Sequence, residues 1–189
     1  MARILGTIAS SLFEAVGDFE SIASYSLSSS ESSVTFSSIP NTYTHLQMRV
    51  LLRNSRETNV HATPLLRPNG DTAHANYAYH HLTSDGSSIT AGNLTSGNYN
   101  GVLTGSFPAV GGYSGVYGYG VWNIFDYANT NKFKTFSGLS AYDSNNNGMV
   151  VFHSNVWMST SAISSLQLLF VDNYSMVSGS HIALYGIKG

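Results

Sequence analysis

Across residues 34–53, VTFSSIPNTYTHLQMRVLLR, a short apolar alternation meets a proline corner and then resumes for twice its length. Leu46, Met48, Val50 and Leu52 alternate with His45, Gln47, Arg49 and Leu51. A period of two is that of a strand with one buried face. Ile39-Pro40-Asn41 breaks the run, because proline fixes its own φ and drives the preceding residue out of the helical region. The pattern therefore predicts a short strand, a corner, and a long strand with a buried Leu46/Met48/Val50 row and an outward His45/Gln47/Arg49 row.

The same reading extends along the chain. Residues 1–18 mix partial helical spacing (Ile4, Leu5, Ile8, Leu12) with Gly6, Thr7 and a Ser pair, and read either as an N-terminal arm or as an ordinary first strand. A strand opens at Phe19 and gives way to a Ser-rich turn; 54–59 is a polar loop and 60–66 a possible strand. Asn69-Gly70 is a turn signal, since both residues accept positive φ. Residues 74–82, HANYAYHHL, read as a strand closed by Ser84-Asp85-Gly86. Further strands are predicted over 121–127, 132–141, 149–158, 163–171 and 181–187, with turn residues between them. Short strands at close spacing without a helical period indicate an all-β sandwich or barrel, with 19–189 as a single domain.

Residues 92–120 stand apart, dominated by Gly, Tyr, Ser and Asn. Such a stretch is either a contact surface, offering rigid amphipathic rings on a pliable backbone, or a long loop between sheets with glycines at tight corners.

Composition narrows the function more than the fold. The chain has 189 residues, 42% hydrophobic, enough for one domain with a core. Only 10% are charged, against about 25% in an ordinary globular protein, so Ser, Thr, Asn, Gly and Tyr must make most of the surface. That suits a surface covered by neighbours or touching something uncharged. A net charge of −2 argues against nucleic acid, which is captured by clustered Lys and Arg. With no cysteine, neither disulfides nor thiolate metal sites hold the fold. No apolar run reaches the roughly 20 residues of a membrane span, and the N-terminus makes no convincing signal peptide, so a soluble, cytoplasmically made chain is expected.

Candidate chemistry is sparse. Asp143-Ser144-Asn145-Asn146-Asn147-Gly148 fits the first half of a calcium loop, but position twelve is Ser154 where a bidentate Glu is needed, and a hairpin turn explains the same residues. Among seven histidines, His80 and His81 are adjacent and point to opposite faces of a strand, whereas His74 and His80 could share one, with Asp71 within approach. Two imidazoles make a weak metal site, and half-exposed or interface histidines are the simpler reading. No nucleophile elbow, phosphate loop or H-E-x-x-H is present, and Asp126, inside a strand-like run, reads as a turn anchor rather than an acid catalyst. Arg49, Arg53, Arg56 and Arg67 hold half of the eight basic residues in one region, a candidate for carboxylate pairing at an interface. No catalytic residue, metal or cofactor is expected.

The 34–53 stretch also resembles the FSSIP-x-TY-x-HLQ segment of small tailed-bacteriophage virion proteins. Trp157 with 160–166 is similar to their W-x-x-T-x-A-I-x-S-L strand, and the closing GSHIALYGIK to their C-terminal LYGIK motif. Asn69-Gly70-Asp71 and Tyr77 with His80-His81 are similar to a middle segment. The resemblance spans about 19–189 and implies a jelly-roll-like antiparallel β-sandwich serving as a head or tail component of the virion. On that basis the expected function is a non-enzymatic head decoration (cement) protein, made in the host cytoplasm, homotrimeric and bound to neighbouring major capsid subunits. The alternative is a tail-fibre or spike head that binds host surface glycan, with Asn98 and Asn100 bonding sugar hydroxyls. The expected partner contacts are Arg49, Arg53, Arg56, Tyr99, Tyr113, Tyr117 and Tyr119.

Overall fold

The computed structural model describes residues 18–94, 99–112, 114–145 and 147–189, and among them the regular structure is β-strand with two single turns of 3-10 helix. In chain order the strands are β1 (Phe19–Ser26), β2 (Ser33–Phe36), β3 (His45–Leu52), β4 (His61–Ala62), β5 (Pro64–Pro68), β6 (Tyr77–Ser84) and β7 (Ile89–Leu94). They continue as β8 (Val102–Leu103), β9 (Phe107–Pro108), β10 (Gly118–Phe125), β11 (Lys134–Asp143), β12 (Gly148–Trp157), β13 (Leu166–Phe170) and β14 (His181–Ile187). The result is an all-β antiparallel sandwich of unequal layers. A sheet in the order β1-β14-β3-β10-β11-β12-β6-β7 packs on a smaller one, β2-β13-β5-β8, beside the ribbon β4-β9. The expected N-terminal arm lies outside the described residues apart from Asp18.

β3 lies between β14 and β10, and its alternation is the one anticipated: Leu46, Met48 and Leu52 are fully buried and Val50 nearly so. They meet Ile182 and Leu184 of β14, Trp122 and Ile124 of β10, and, from the smaller sheet, Val34, Phe36, Leu66, Leu166, Leu168 and Phe170. Each such side chain removed from water contributes on the order of 2 kcal/mol, so this cluster is the main source of stability. On the outward face Gln47 Nε2 donates to Asn123 Oδ1 at 2.8 Å, and Arg49 Nε donates to Gln47 Oε1 at 2.9 Å. The Arg49 guanidinium lies 4.9 Å from the Phe19 ring and 5.2 Å from that of Tyr185. β14 is thus covered on both faces by its own chain.

Three polar groups, Asn54 and Lys134 buried and Asp71 half-buried, fasten loops to this frame. Asn54, fully buried just after β3, donates through Nδ2 to the carbonyls of Phe107 (3.1 Å) and Pro108 (3.0 Å) and accepts from the Arg56 amide (3.0 Å). Lys134 is also buried, with Nζ donating to the carbonyls of Asn129 (2.5 Å), Lys132 (2.9 Å) and Thr160 (3.2 Å). Burial pulls its pKa down, opposed by the charge of Asp126. Asp71 accepts from Trp157 Nε1 (2.7 Å), Asn76 Nδ2 (2.7 Å) and the Ala73 amide (2.8 Å). Burial pushes its carboxyl up, but these hydrogen bonds together outweigh it and hold the group below its ordinary range. The Asn69-Gly70 turn, with φ of 50° and 68°, presents Asp71 to β12 in this way.

Three predicted boundaries change. The 60–66 strand divides into β4 and β5, which belong to different sheets, with Pro64 opening the second. The 74–82 strand begins instead with a 3-10 turn, His74–Asn76, and becomes extended only at Tyr77. The described part of 92–120 is largely interior. Val102, Leu103, Thr104, Ser106, Phe107 and Ala109 are buried, because β8 and β9 insert as short partners of β5 and β4.

Candidate functional site

The inner face of the large sheet changes character from one side to the other. One cross-strand row runs Ala23, Leu184, Met48, Trp122, Gly138, His153, His81, Gly92 from β1 to β7. The next runs Tyr25, Ile182, Val50, Gly120, Ser140, Val151, Thr83, Thr90. Each starts apolar over the smaller sheet and turns polar at β11. Gly138 makes the boundary possible: a Cβ there would come within 2.5 Å of the Trp122 ring and 2.7 Å of the Val121 carbonyl.

Beyond that boundary a cavity of about 170 Å³ is lined by Thr63, Tyr79, His81, Thr83, Tyr99, Leu103, Gly105, Ser106, Val151 and His153. β6 supplies Tyr79, His81 and Thr83, which share a face because they alternate along one strand. The Tyr79 and His81 rings are stacked, with centroids 5.1 Å apart and planes 13° apart. His153, directly opposite His81 on β12, is 1% exposed. Asn155 Nδ2 donates both to the Leu103 carbonyl (3.1 Å) and to His153 Nδ1 (2.9 Å). That bond makes Nδ1 the acceptor, so the neutral ring carries its proton on Nε2. Burial lowers the pKa of His153 to about 4, keeping the imidazole neutral near pH 7. His81 Nδ1, His153 Nε2 and Ser140 Oγ are buried with no hydrogen-bond partner among the described residues. Trp122 Nε1, across the Gly138 boundary, is likewise buried without a partner among the described residues, so four such atoms lie along β10, β11, β12 and β6, where buried polar atoms are nearly always paired.

The predicted contact residues do not form one surface. Arg49 is on the outer face of the large sheet, held by Phe19 and Tyr185. Arg53 is half-buried just past β3, and Arg56 lies 5.3 Å from the Tyr174 ring. Arg67 donates to the Asn100 carbonyl (2.8 Å) and Oδ1 (2.7 Å), so the Asn100 oxygen expected to bond a sugar is already engaged. Tyr99 faces inward, bordering the cavity above and two neighbours of about 280 and 170 Å³ where Arg67, Arg56 and Asp172 lie. Tyr117 is pinned by its hydroxyl to the Ser178 carbonyl at 2.6 Å. Tyr119 is half exposed on the outer face, while Tyr113 and Asn98 lie outside the described residues.

The other readings resolve locally. Asp126 has φ of 50°, its carbonyl accepts from the Asn129 amide, and its carboxylate is 2.6 Å from Lys132 Nζ, which first among several causes lowers its pKa: it anchors a turn. Asp143 accepts from the Asn145 amide at 2.8 Å inside the β11–β12 hairpin. His74 belongs to the 3-10 turn and does not share a strand face with His80, which points outward. No group of three His, Asp or Glu is placed to hold a metal among the described residues. The inward His81–His153 pair, by contrast, was signalled by strand parity alone, and its pairing partner was not legible.

The outer face of the same sheet carries exposed apolar side chains in two of its rows, beside a polar row Gln47, Asn123, Ser137, Ser154, His80, Asn93. Leu51, Tyr119, Leu139, Val150, Phe152, Leu82 and Ile89 are 37% to 76% exposed and come from six successive strands, β3 to β7 in sheet order. Leu139, Phe152 and Leu82 stand in direct cross-strand register. Between β10 and β7 no Asp, Glu, Lys or Arg interrupts the rows they occupy.

No family profile matches the chain, and no curated protein matches it in sequence. Among solved structures it is similar to the enzymatically active domain of tailspike protein 2 of bacteriophage CBA120, at 12% identity and a TM-score of 0.41. That likeness covers 91% of this chain, which spans only 29% of the tailspike chain. It is also similar to the CBM40 module of the Ruminococcus gnavus IT-sialidase, solved with alpha2,6 sialyllactose, at 10% identity and a TM-score of 0.33. Here 87% of this chain and 92% of that one are covered. At these scores the likenesses carry no functional argument.

Proposed function

We propose that this chain is a non-enzymatic structural protein of a phage virion that lies on the capsid with the outer face of its large sheet against neighbouring major capsid subunits. The observation that carries this reading is the set of exposed apolar side chains Leu51, Tyr119, Leu139, Val150, Phe152, Leu82 and Ile89, whose rows are free of charge from β10 to β7. Monomeric soluble proteins rarely leave such a patch open to water, and large ones mark protein contacts. A β-sheet face is broad and stiff, which suits a clamp across two subunits better than insertion into a groove. Of the expected contact residues that are described, Tyr119 lies within the patch and Arg49 stands at its border. The sequence resemblance to virion proteins supports the same assignment.

The test is to locate the chain in purified virions and to measure binding of the free protein to shells lacking it. It should occur on the head in copy numbers proportional to the capsid protein. Phe152→Asp and Val150→Asp should each weaken shell binding about tenfold or more while circular dichroism stays unchanged. Recovery only at the tail tip in a few copies, or undiminished binding by both variants, would overturn the reading.

A further inference from the structure

From the cavity between β6, β12 and the chain around Leu103–Ser106 we infer a binding site for one neutral, ring-shaped polyol, a single pyranose, on the side of the large sheet opposite the docking face. Size is the first argument. The cavity measures about 170 Å³, a little more than the void of about 150 Å³ that admits benzene, so a pyranose enters it ring-edge first with some of its hydroxyls left outside. Polarity is the second. Thr63, Thr83 and Ser106 line it with hydroxyls, each both donor and acceptor, as a sugar hydroxyl is. The His153 and His81 rings complete the polar wall, with His153 Nε2 and His81 Nδ1 buried and without a partner among the described residues.

Shape is the third argument. The Tyr79 ring, stacked on that of His81, lies within the same wall. The apolar C–H face of a pyranose packs on such a surface while its hydroxyls reach the rim. Charge is the fourth. Among the described residues no Asp, Glu, Lys or Arg lines this cavity, so a carboxylate or phosphate would lose hydration without a countercharge from them. The ring of His81 also depends on Gly92, whose Cβ, if present, would approach His81 Cε1 to 2.5 Å. Glycine there lets the imidazole lie flat over β7 in register with His153.

The site is independent of the docking reading, since it uses the opposite face of the sheet. The experiment follows the His81 and His153 ring resonances by NMR during titration of the full chain with D-glucose, D-galactose, D-mannose and N-acetyl-D-glucosamine. At least one sugar should shift both rings saturably. Tyr79→Leu, which keeps bulk but removes the ring, and Gly92→Ala, which displaces His81, should each weaken that binding about tenfold. Tyr119→Ala, on the outer face, should leave it unchanged. Glucuronic acid should bind less well than glucose. Failure of all four neutral sugars to move either ring would overturn the assignment. So would binding that survives Tyr79→Leu, or stronger binding of the acid. If Gly92→Ala does not fold, Tyr79→Leu decides alone.

Discussion

The two halves of the large sheet's inner face use the same backbone and the same register, yet do opposite things. On β14, β3 and β10 the inward residues are Ile182, Leu184, Met48, Val50, Trp122 and Ile124, which pack under the smaller sheet with little or no exposure. On β11, β12 and β6 the inward positions in the same rows are Gly138, Ser140, Val151, His153, His81 and Thr83, the last four of which line a cavity. Close packing fills the first half, although Trp122 Nε1 is buried there without a hydrogen-bond partner among the described residues. The second half carries unpaired nitrogens and a hydroxyl whose burial costs stability. A sheet can hold such a half because the other half supplies the surplus. Proteins commonly keep a functional site at the expense of stability gained elsewhere.

The largest break in the comparison should come from Trp122, fully buried on the dry side of the boundary. Its ring stands edge-on to Phe107 at 6.0 Å, tying the buried 102–109 segment to the main core. Trp122→Ala should cost about 4 kcal/mol, read as a fall in the urea midpoint at unchanged slope. A loss under about 1 kcal/mol would mean that the dry half is not the stabilising one.

Acid should act next, and on the wet half. His153 is held neutral, with its pKa lowered to about 4 from the ordinary value of 6.5. Between these values the unfolded chain binds a proton that the folded chain refuses, so stability is full above pH 6.5 and falls as the pH drops toward 4. The loss integrates to about 3 kcal/mol, and His153→Gln should flatten the stability–pH curve across that window. Asp71, whose carboxyl is held below its ordinary range, adds a separate loss at lower pH, as protonation removes the acceptor for Trp157 and Asn76. Denaturant melts from pH 7.5 down to 4 in wild type and His153→Gln separate the two.

The same contrast explains how much could be read from the residues alone. The dry half was legible because burial on one face imposes alternation: β3, β10, β12 and β14 appear close to where they were expected. The wet half was not, because a cavity needs neither hydrophobicity nor period. Strand parity sent His80 and His81 to opposite faces, but only the register opposes His81 to His153 and leaves His74 in a turn. The 92–120 stretch misled through composition. Small and hydroxyl residues read as a surface loop, yet Thr104 and Ser106 are buried, with Thr104 Oγ1 donating to the Pro64 carbonyl at 3.1 Å. Polar residues can occupy an interior when neighbouring strands satisfy them, and those neighbours are distant in sequence. The outer face was hidden for a related reason, since Leu82, Leu139, Val150 and Phe152 look like core when each strand is read singly.

The smallest expected effect sharpens the comparison most, because it holds shape constant and changes only polarity. Val50 and Thr83 occupy one cross-strand row, on β3 and β6, at opposite sides of the boundary. Valine and threonine are nearly isosteric but differ by a hydroxyl. Val50→Thr places that hydroxyl in the dry cluster, where Leu52, Ile182 and Leu184 offer no side-chain partner, and should cost about 2 kcal/mol. Thr83→Val removes a hydroxyl from the rim of the cavity, where the side chain is half-exposed, and should change stability by less than about 0.5 kcal/mol. Urea midpoints of the two single variants measure the asymmetry directly. Equal and large losses would mean that Thr83 is bonded into the fold as tightly as Val50 is packed, and that the wet half is core after all. A large loss at Val50 beside a negligible one at Thr83 is the signature of a sheet stabilised on one side and left open for binding on the other.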